Sequence, residues 1–335
     1  MSIKVGINGF GRIGRNVLRI GLDREGIEFV GINDISDSKT LAHLFKYDSI
    51  FGNYKGDVKA ENGHIVIDGK PIRVFSERNP ADIPWQDVGA DIVAEASGIF
   101  RSKETASAHL GETVKKVIIT APGKSDIDFT TVLGANEGEY DSANHNIISN
   151  ASCTTNCFAM IVKVLHENFG IKQGQMTTIH SYTNDQQILD APHKDLRRAR
   201  AAALSIIPTS TGAANAINII YPELKGKMSA VAMRVPTSDV SVVDFNCEVE
   251  KPTSAQEVND KFREASEGPL KGYLRYVEEE LVSADFVGDP HSAIIDAPLT
   301  SVVGGNLVKV IGWYDNEYGY SARVVDLIEY IGEKG

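Results

Sequence analysis

A doubly wound parallel α/β sheet, followed by an α+β domain on a mostly antiparallel sheet, is the architecture the sequence predicts. Three features carry it. A buried strand at residues 3–8 runs straight into a glycine-rich turn and a helix, short apolar strands then alternate with helices as far as Ile148, and past Gly170 the strands lengthen. A chain of 335 residues is long enough for two such domains, each with its own core. The reading divides it into residues 1–150 plus a C-terminal helix in 316–335, and a second, catalytic domain over 151–315.

In the first domain, Gly9-Phe10-Gly11-Arg12-Ile13-Gly14 follows the opening strand, and Ile13, Val17 and Ile20 share one face of the helix behind it. G-x-G-x-x-G between strand and helix is the context in which backbone N–H groups hold a pyrophosphate, so a Rossmann-type dinucleotide site is expected at Gly9, Gly11 and Gly14. A second strand over 29–33 ends at Asp34, at the offset where a carboxylate meets the adenosine ribose hydroxyls. Residues 57–75 read as an antiparallel insertion, cut by the turn pairs Asn62-Gly63 and Asp68-Gly69. Strands over 91–96 and 117–120 resume the parallel pattern, with a helix over 103–110 between them. Ser97-Gly98 and the segment from Thr120 to Gly123 stand at strand ends, where a backbone approaching cofactor and a plain loop explain them equally well.

In the second domain, Phe158, Ile161, Val162, Leu165 and Phe169 recur at helical spacing up to Gly170, with Ser152 as cap. Strands are expected over 175–182, 228–235, 240–249 and 307–314. Ser254 to Glu257 is a capping box, and Thr209 to Gly212 opens a helix over 213–220. The closing segment 318–330 is a one-faced helix that needs a partner.

The chemistry centres on Cys153, in the first turn of the helix after Ser152. The positive end of a helix lowers a thiol's pKa, so a thiolate nucleophile is expected, against the alternative of a small buried hydrophobe. A thiol beside a dinucleotide suits aldehyde oxidation through a thiohemiacetal and a thioester. His180 is the candidate base, with a satisfied core histidine as its alternative. Thr211 and Gly212 at a helix start, with Arg198 and Arg234, suit phosphate oxygens.

Composition excludes several classes. Acidic residues outnumber basic ones 45 to 34, and no basic block offers a track for nucleic acid. Three cysteines give neither a disulfide framework nor a metal site, which makes a reducing cytoplasm the simplest setting. No export or transit pattern is read at the N-terminus. The uncharged run 201–222 is broken by prolines and polar residues, so no membrane span is expected and the protein should be soluble.

Three stretches together carry a resemblance: Ser149-Asn150-Ala151-Ser152-Cys153-Thr154-Thr155-Asn156-Cys157, Ile7 to Arg15, and Trp313-Tyr314-Asp315-Asn316-Glu317-Tyr318-Gly319. The chain resembles the phosphorylating glyceraldehyde-3-phosphate dehydrogenases over residues 4–326. The resemblance implies a glycolytic and gluconeogenic oxidoreductase with Cys153 as nucleophile and His180 as base. It implies NAD at Arg12, Ile13, Asp34, Arg78, Thr120 and Asn316. Thr183 and Arg234 would hold the substrate's phosphate. Ser152, Thr154, Arg198, Thr211 and Gly212 would surround the inorganic phosphate that converts the thioester to 1,3-bisphosphoglycerate. It implies a homotetramer, in which a loop over 181–204 reaches a neighbour's cofactor.

Erythrose-4-phosphate dehydrogenases share the nucleophile motif, but residues 181–185 and 209–212 look like the glyceraldehyde-3-phosphate pattern. Aspartate-semialdehyde dehydrogenases share the chemistry without these motifs, and a dinucleotide sensor without turnover would not need Cys153 and His180. On cofactor choice, Asp34 disfavours a 2′-phosphate, whereas Ala191-Pro192 stands where the family commonly has a leucine before proline. NAD is therefore expected, with some leak of NADP.

Overall fold

A computed structural model describes residues 2–124 and 126–334, which fall into two compact units. Among the described residues, the first comprises 2–124, 126–131, 138–151 and 321–334, and the second 132–137 and 152–320.

The first unit is built on a nine-stranded sheet with Ile3–Asn8 at its centre. Ile27–Asn33 and then Lys70–Phe75 flank it on one side, and Ile92–Glu95, Lys116–Ile119, Ile147–Ser149 and Phe129–Thr130 on the other. All these pairings are parallel. The chain leaves the central strand to one side and later returns to the other, which opens a crevice beyond the strands' C-terminal ends. Isoleucine and valine dominate these strands because both sheet faces are covered; Val5, Ile7, Ile32, Val93 and Ile118 are wholly buried.

The segment read as an insertion is an extension of the same sheet: Lys70–Phe75 pairs parallel with Ile27–Asn33, and only His64–Ile67 and Val58–Glu61 are antiparallel. Its turns take positive φ at both central residues, 49° and 74° at Asn62-Gly63 and 49° and 80° at Asp68-Gly69, as a two-residue hairpin turn requires. The helix expected over 103–110 is α-helical only over Lys103–Ala106 and tightens to 3₁₀ over Ser107–His109. The tighter turn carries His109 inward onto Trp85 and Glu95. The sequence reading passed over helix Ser38–Lys46, although Asp37 caps it by accepting the Thr40 N–H at 3.0 Å. The closing helix spans Tyr318–Lys334, and within the first unit its Gly332 lies so close to Ile3 that a Cβ would stand 2.1 Å from the Ile3 side chain.

In the second unit Ser152 Oγ accepts the Thr155 N–H at 3.0 Å, and helix Cys153–Phe169 ends at Gly170, whose φ of 69° suits glycine. This helix lies on a sheet ordered Ile207–Ser210, Met228–Val235, Ile171–Ser181, Ser241–Val249, Leu307–Tyr314, Ala293–Asp296, Leu274–Val277. Two of its pairings are parallel, Ile171–Ser181 with Met228–Val235 and Leu274–Val277 with Ala293–Asp296; the others are antiparallel. Phe158 meets Phe245 edge-on at 4.8 Å, and burying such a ring contributes about 2 kcal/mol. The strand expected from residue 240 begins at Ser241, because Val240 has φ 65° and cannot be extended. Thr209 and Ser210 close an edge strand, and helix Ala213–Ile220 begins after them. Among the described residues no helix is long and apolar enough to cross a membrane.

Past the end of strand Leu307–Tyr314, Asp315 is fully buried and accepts the N–H groups of Gly288, Glu317 and Tyr318 at 2.8, 2.9 and 2.6 Å. Asp239 is also buried, with its carboxyl against the Val240 N–H and the Asp315 carboxyl. Burial, together with the negative charges of Asp315 and Glu317, pushes the Asp239 carboxyl up to about 9, its proton shared with Asp315. Folding therefore takes up a proton, and the stability tied to it is complete below the ordinary carboxyl value of 3.8 and is lost as pH rises toward 9. Asp239→Asn keeps position 239 neutral at every pH. It is expected to raise Tm by about 2–4 °C at pH 7, with a gap that closes toward pH 4; melting curves across this range check it.

Candidate active site

The glycine turn of the first unit is glycine for steric reasons. Gly9 has φ +90°, and a Cβ there would stand 2.5 Å from the Ser97 nitrogen. A Cβ on Gly14 would stand 2.2 Å from the Gly9 carbonyl oxygen, whereas one on Gly11 would enter open space. The turn is thus closed on the protein side and open outward. Gly11 offers no capping side chain to helix Arg12–Gly21, so the first turn, Arg12 and Ile13, presents its main chain to an anion. Asp34 is tied to this turn, accepting the Phe10 N–H at 2.8 Å and the Ser36 N–H at 2.9 Å. A carboxylate has about four acceptor sites, so two remain for ribose hydroxyls. The residues fit a dinucleotide.

The other first-unit candidates stand apart from this core to differing degrees. The Arg12 guanidinium pairs with Asp48 at 2.5 Å and lies over the Phe51 ring. Burial opposes ionisation of Asp48, but the Phe51 N–H and Arg12 outweigh it and hold its pKa below the usual range. Arg78 is exposed, next to Glu77, whose N–H reaches Asn33 at 2.8 Å. Thr120 is buried, with its hydroxyl donating to the Glu95 carbonyl at 3.2 Å.

In the second unit Cys153 Sγ lies 3.5 Å from His180 Nε2. Sheet register sets the rest: His180 is opposite Arg234, and Arg234 is opposite Ile207 on its other side. His180 Nδ1 is 2.7 Å from the Ser181 carbonyl oxygen, and Arg234 reaches the same oxygen at 3.0 Å and Nδ1 at 2.8 Å. The carbonyl is the closer of the two neighbours of Nδ1, and Arg234 has the carbonyl and Thr183 Oγ1 as other acceptors, so the proton is assigned to Nδ1 and Arg234 donates to those two oxygens. Nε2 is then a bare acceptor facing the thiol.

The electrostatics differ from the sequence expectation of a lowered thiol pKa. Cys153 is half-buried but closely surrounded, and this desolvation raises its thiol despite the Arg234 charge and the Thr154 N–H, which pull it down. Burial, followed by Arg234, depresses His180 to about 3. Burial thus favours the neutral form of both thiol and imidazole. A helix start lowers a thiol only where the surroundings do not desolvate it more.

Arg234 also donates to the Thr183 hydroxyl at 3.3 Å. Asp185 accepts from Thr183 and from Arg198, while Arg198 Nε donates to Thr209 at 2.9 Å. Partial desolvation opposes ionisation, yet the Thr183 hydroxyl, Arg234 and Arg198 hold Asp185 below the usual carboxylate range. Cys153, His180, Arg234, Thr183 and Arg198 thus form one connected set, with Asp185 as its internal anion.

The remaining candidates have other partners. The Ser152 hydroxyl caps the helix at Thr155, and Thr211 Oγ1 accepts the Ala213 N–H at 3.3 Å, next to Gly212 at the helix start. The Thr154 hydroxyl is taken by Tyr314 OH at 2.8 Å. Asn316 accepts from Ser241 Oγ at 2.7 Å, and Ser241 Oγ accepts the Ser181 N–H at 3.1 Å.

Sequence reasoning missed Tyr314 and Asp185. Tyr314 OH contacts Thr154 and, at 2.9 Å, Thr178, while its ring stands edge-on to His180 at 6.0 Å. It binds the nucleophile's helix to the base's strand. Its place at the end of an alternating strand, inside the stretch 313–319, was the available signal; for Asp185 it was its place in the stretch 181–185.

Residues 3–103 match the family model described as glyceraldehyde 3-phosphate dehydrogenase, NAD binding domain, and residues 152–316 the C-terminal domain of the same family. The chain is 58% identical to glyceraldehyde-3-phosphate dehydrogenase 1 of Bacillus cereus over 332 residues, 99% of each chain. It is 57% identical to the Geobacillus stearothermophilus glyceraldehyde-3-phosphate dehydrogenase and 56% identical to glyceraldehyde-3-phosphate dehydrogenase 1 of Bacillus subtilis, each over the full length of both chains. A glycine turn shaped for a dinucleotide, a thiol facing a bare imidazole nitrogen, and end-to-end similarity of this kind agree: the chain belongs to the glyceraldehyde 3-phosphate dehydrogenase family.

Proposed function

We propose that the chain oxidises D-glyceraldehyde 3-phosphate with NAD and inorganic phosphate to 1,3-bisphosphoglycerate, and that Cys153 carries the acyl group. The observation that supports this reading best is Cys153 Sγ 3.5 Å from the bare Nε2 of His180, whose other nitrogen is held by a carbonyl. His180 stays neutral above about pH 3 and so is available as a base throughout the neutral range. It takes the thiol proton as sulfur bonds to the aldehyde carbon and passes that proton to the new hydroxyl. It takes the same proton back as the carbon is oxidised, leaving the Cys153 thioester. NAD, when bound, supplies the hydride acceptor. Inorganic phosphate then breaks the C–S bond and frees the thiol.

Arg234, which shares the Ser181 carbonyl with His180, and Thr183, which accepts from Arg234, are the side chains we assign to the substrate's phosphate. Ser152, the Thr154 main chain, Arg198, Thr211 and Gly212 are assigned to inorganic phosphate. An arriving anion would displace Asp185 from Arg198. Gly9, Gly11, Arg12, Ile13, Gly14, Asp34, Arg78, Thr120 and Asn316 are assigned to NAD. We place the protein in the cytoplasm as a homotetramer of glycolysis and gluconeogenesis. Free thiols support the first, and the second is supported by Ile188, Leu189, Leu196 and Leu204, 71–86% exposed along one loop.

The decisive experiment follows NADH absorbance with enzyme, glyceraldehyde 3-phosphate, phosphate and NAD. A flat trace from reduced, folded protein overturns the reading. Cys153→Ala is expected to abolish oxidation while NAD affinity stays within about threefold, because none of the first-unit contacts involves the thiol. His180→Asn should lower the turnover rate by about 10² to 10⁴, and parent-like turnover would remove His180 from the mechanism. Asp34→Gly should weaken NAD and raise NADP turnover above the parent's, measured as the ratio of kcat/KM for the two cofactors.

A further inference from the structure

Glu95, at the end of strand Ile92–Glu95 beside the central strand, is 1% exposed, and every hydrogen bond that its carboxylate makes is accepted. Oε2 accepts from Asn8 Nδ2 at 2.5 Å and from His109 Nε2 at 2.9 Å; Oε1 accepts the Ser97 N–H at 2.9 Å and the Ser97 hydroxyl. Two chains of hydrogen bonds end here, and each has its direction forced. The Glu77 main-chain N–H can only donate, so the Asn33 oxygen faces it at 2.8 Å. The Asn33 amide nitrogen then donates to Asn8 Oδ1 at 2.8 Å, which leaves the Asn8 nitrogen to donate to Glu95. The Trp85 indole likewise can only donate, to His109 Nδ1 at 3.1 Å, so His109 carries its proton on Nε2 and donates it to Glu95. A neutral amide at position 95 would meet donors on both sides.

The residues so tied are placed with a common purpose. Asn8 precedes Gly9, Asn33 precedes Asp34, Glu77 precedes Arg78, and Ser97 is the backbone against which Gly9 closes. We propose that Glu95 is a positioning residue for the cofactor: its buried carboxylate sets the spacing of the strand ends that carry the NAD-binding groups without touching NAD itself. A buried anion is costly unless several donors satisfy it, and an apolar core would serve stability as well. Here the anion defines where four loops begin.

The proposal rests on NAD lying at these strand ends, which parent binding and its loss in Asp34→Gly test separately. In the full-length protein, Glu95→Gln is expected to raise the NAD dissociation constant and KM about tenfold, the effect of one unmade buried charged hydrogen bond. kcat at saturating NAD, and alkylation of Cys153 by iodoacetamide without cofactor, should stay within about twofold, since a purely positional role leaves the thiol untouched. A folded Glu95→Gln protein with the parent's dissociation constant overturns the proposal, as does a fall in alkylation matching the loss of affinity. Should Glu95→Gln not fold, His109→Phe keeps the ring and removes one donor, and is expected to weaken NAD about threefold; an unchanged constant in that variant overturns the proposal equally.

Discussion

The second unit's chemistry depends on one carbonyl, that of Ser181. By accepting the His180 Nδ1 proton it turns the basic nitrogen toward Cys153, and by accepting from Arg234 it draws a cation to the same place. The carbonyl is held in turn: the Ser181 N–H donates to Ser241, and its hydroxyl donates to the Val240 carbonyl at 2.7 Å. Val240 sits at φ 65°, a left-handed conformation that costs a β-branched residue on the order of 1–3 kcal/mol. The fold tolerates that strain where it orients the acceptor next to the base.

Position in the thiol site is set by the sheet, and charge is set by what surrounds it. Neighbouring strands bring His180 beside Arg234 whatever the loops do. The Tyr314 hydroxyl then links Thr154 on the helix to Thr178 on the strand, which fixes the distance between nucleophile and base. Close packing around both groups disfavours their charged forms, so the pair is suited to moving a proton during the reaction.

Two of the cationic side chains at the sites have internal anions. Arg12 is held by Asp48 and Arg198 by Asp185. The two cases differ in burial. Asp48 is nearly inaccessible and its pair with Arg12 is structural, so the glycine turn relies on main-chain N–H groups. Asp185 is exposed, where water screens the pair and an arriving anion can replace the carboxylate.

What the sequence by itself determined was everything written in local spacing. Strand Ile3–Asn8, the glycine turn, both positive-φ hairpin turns, the Ser152 cap with its Gly170 stop, and the Ser254 capping box depend on residues within a few positions of one another. Tertiary structure decided the rest. The pairing of Lys70–Phe75 with Ile27–Asn33, the approach of His180 to a cysteine 27 residues away, and the Glu95 network across strand ends are contacts between distant segments. The protonation of Cys153 was the sharpest divergence. The helix start that lowers a thiol's pKa is visible in nine consecutive residues, but the desolvation that raises it comes from side chains on other elements, and burial is a property only the folded chain has.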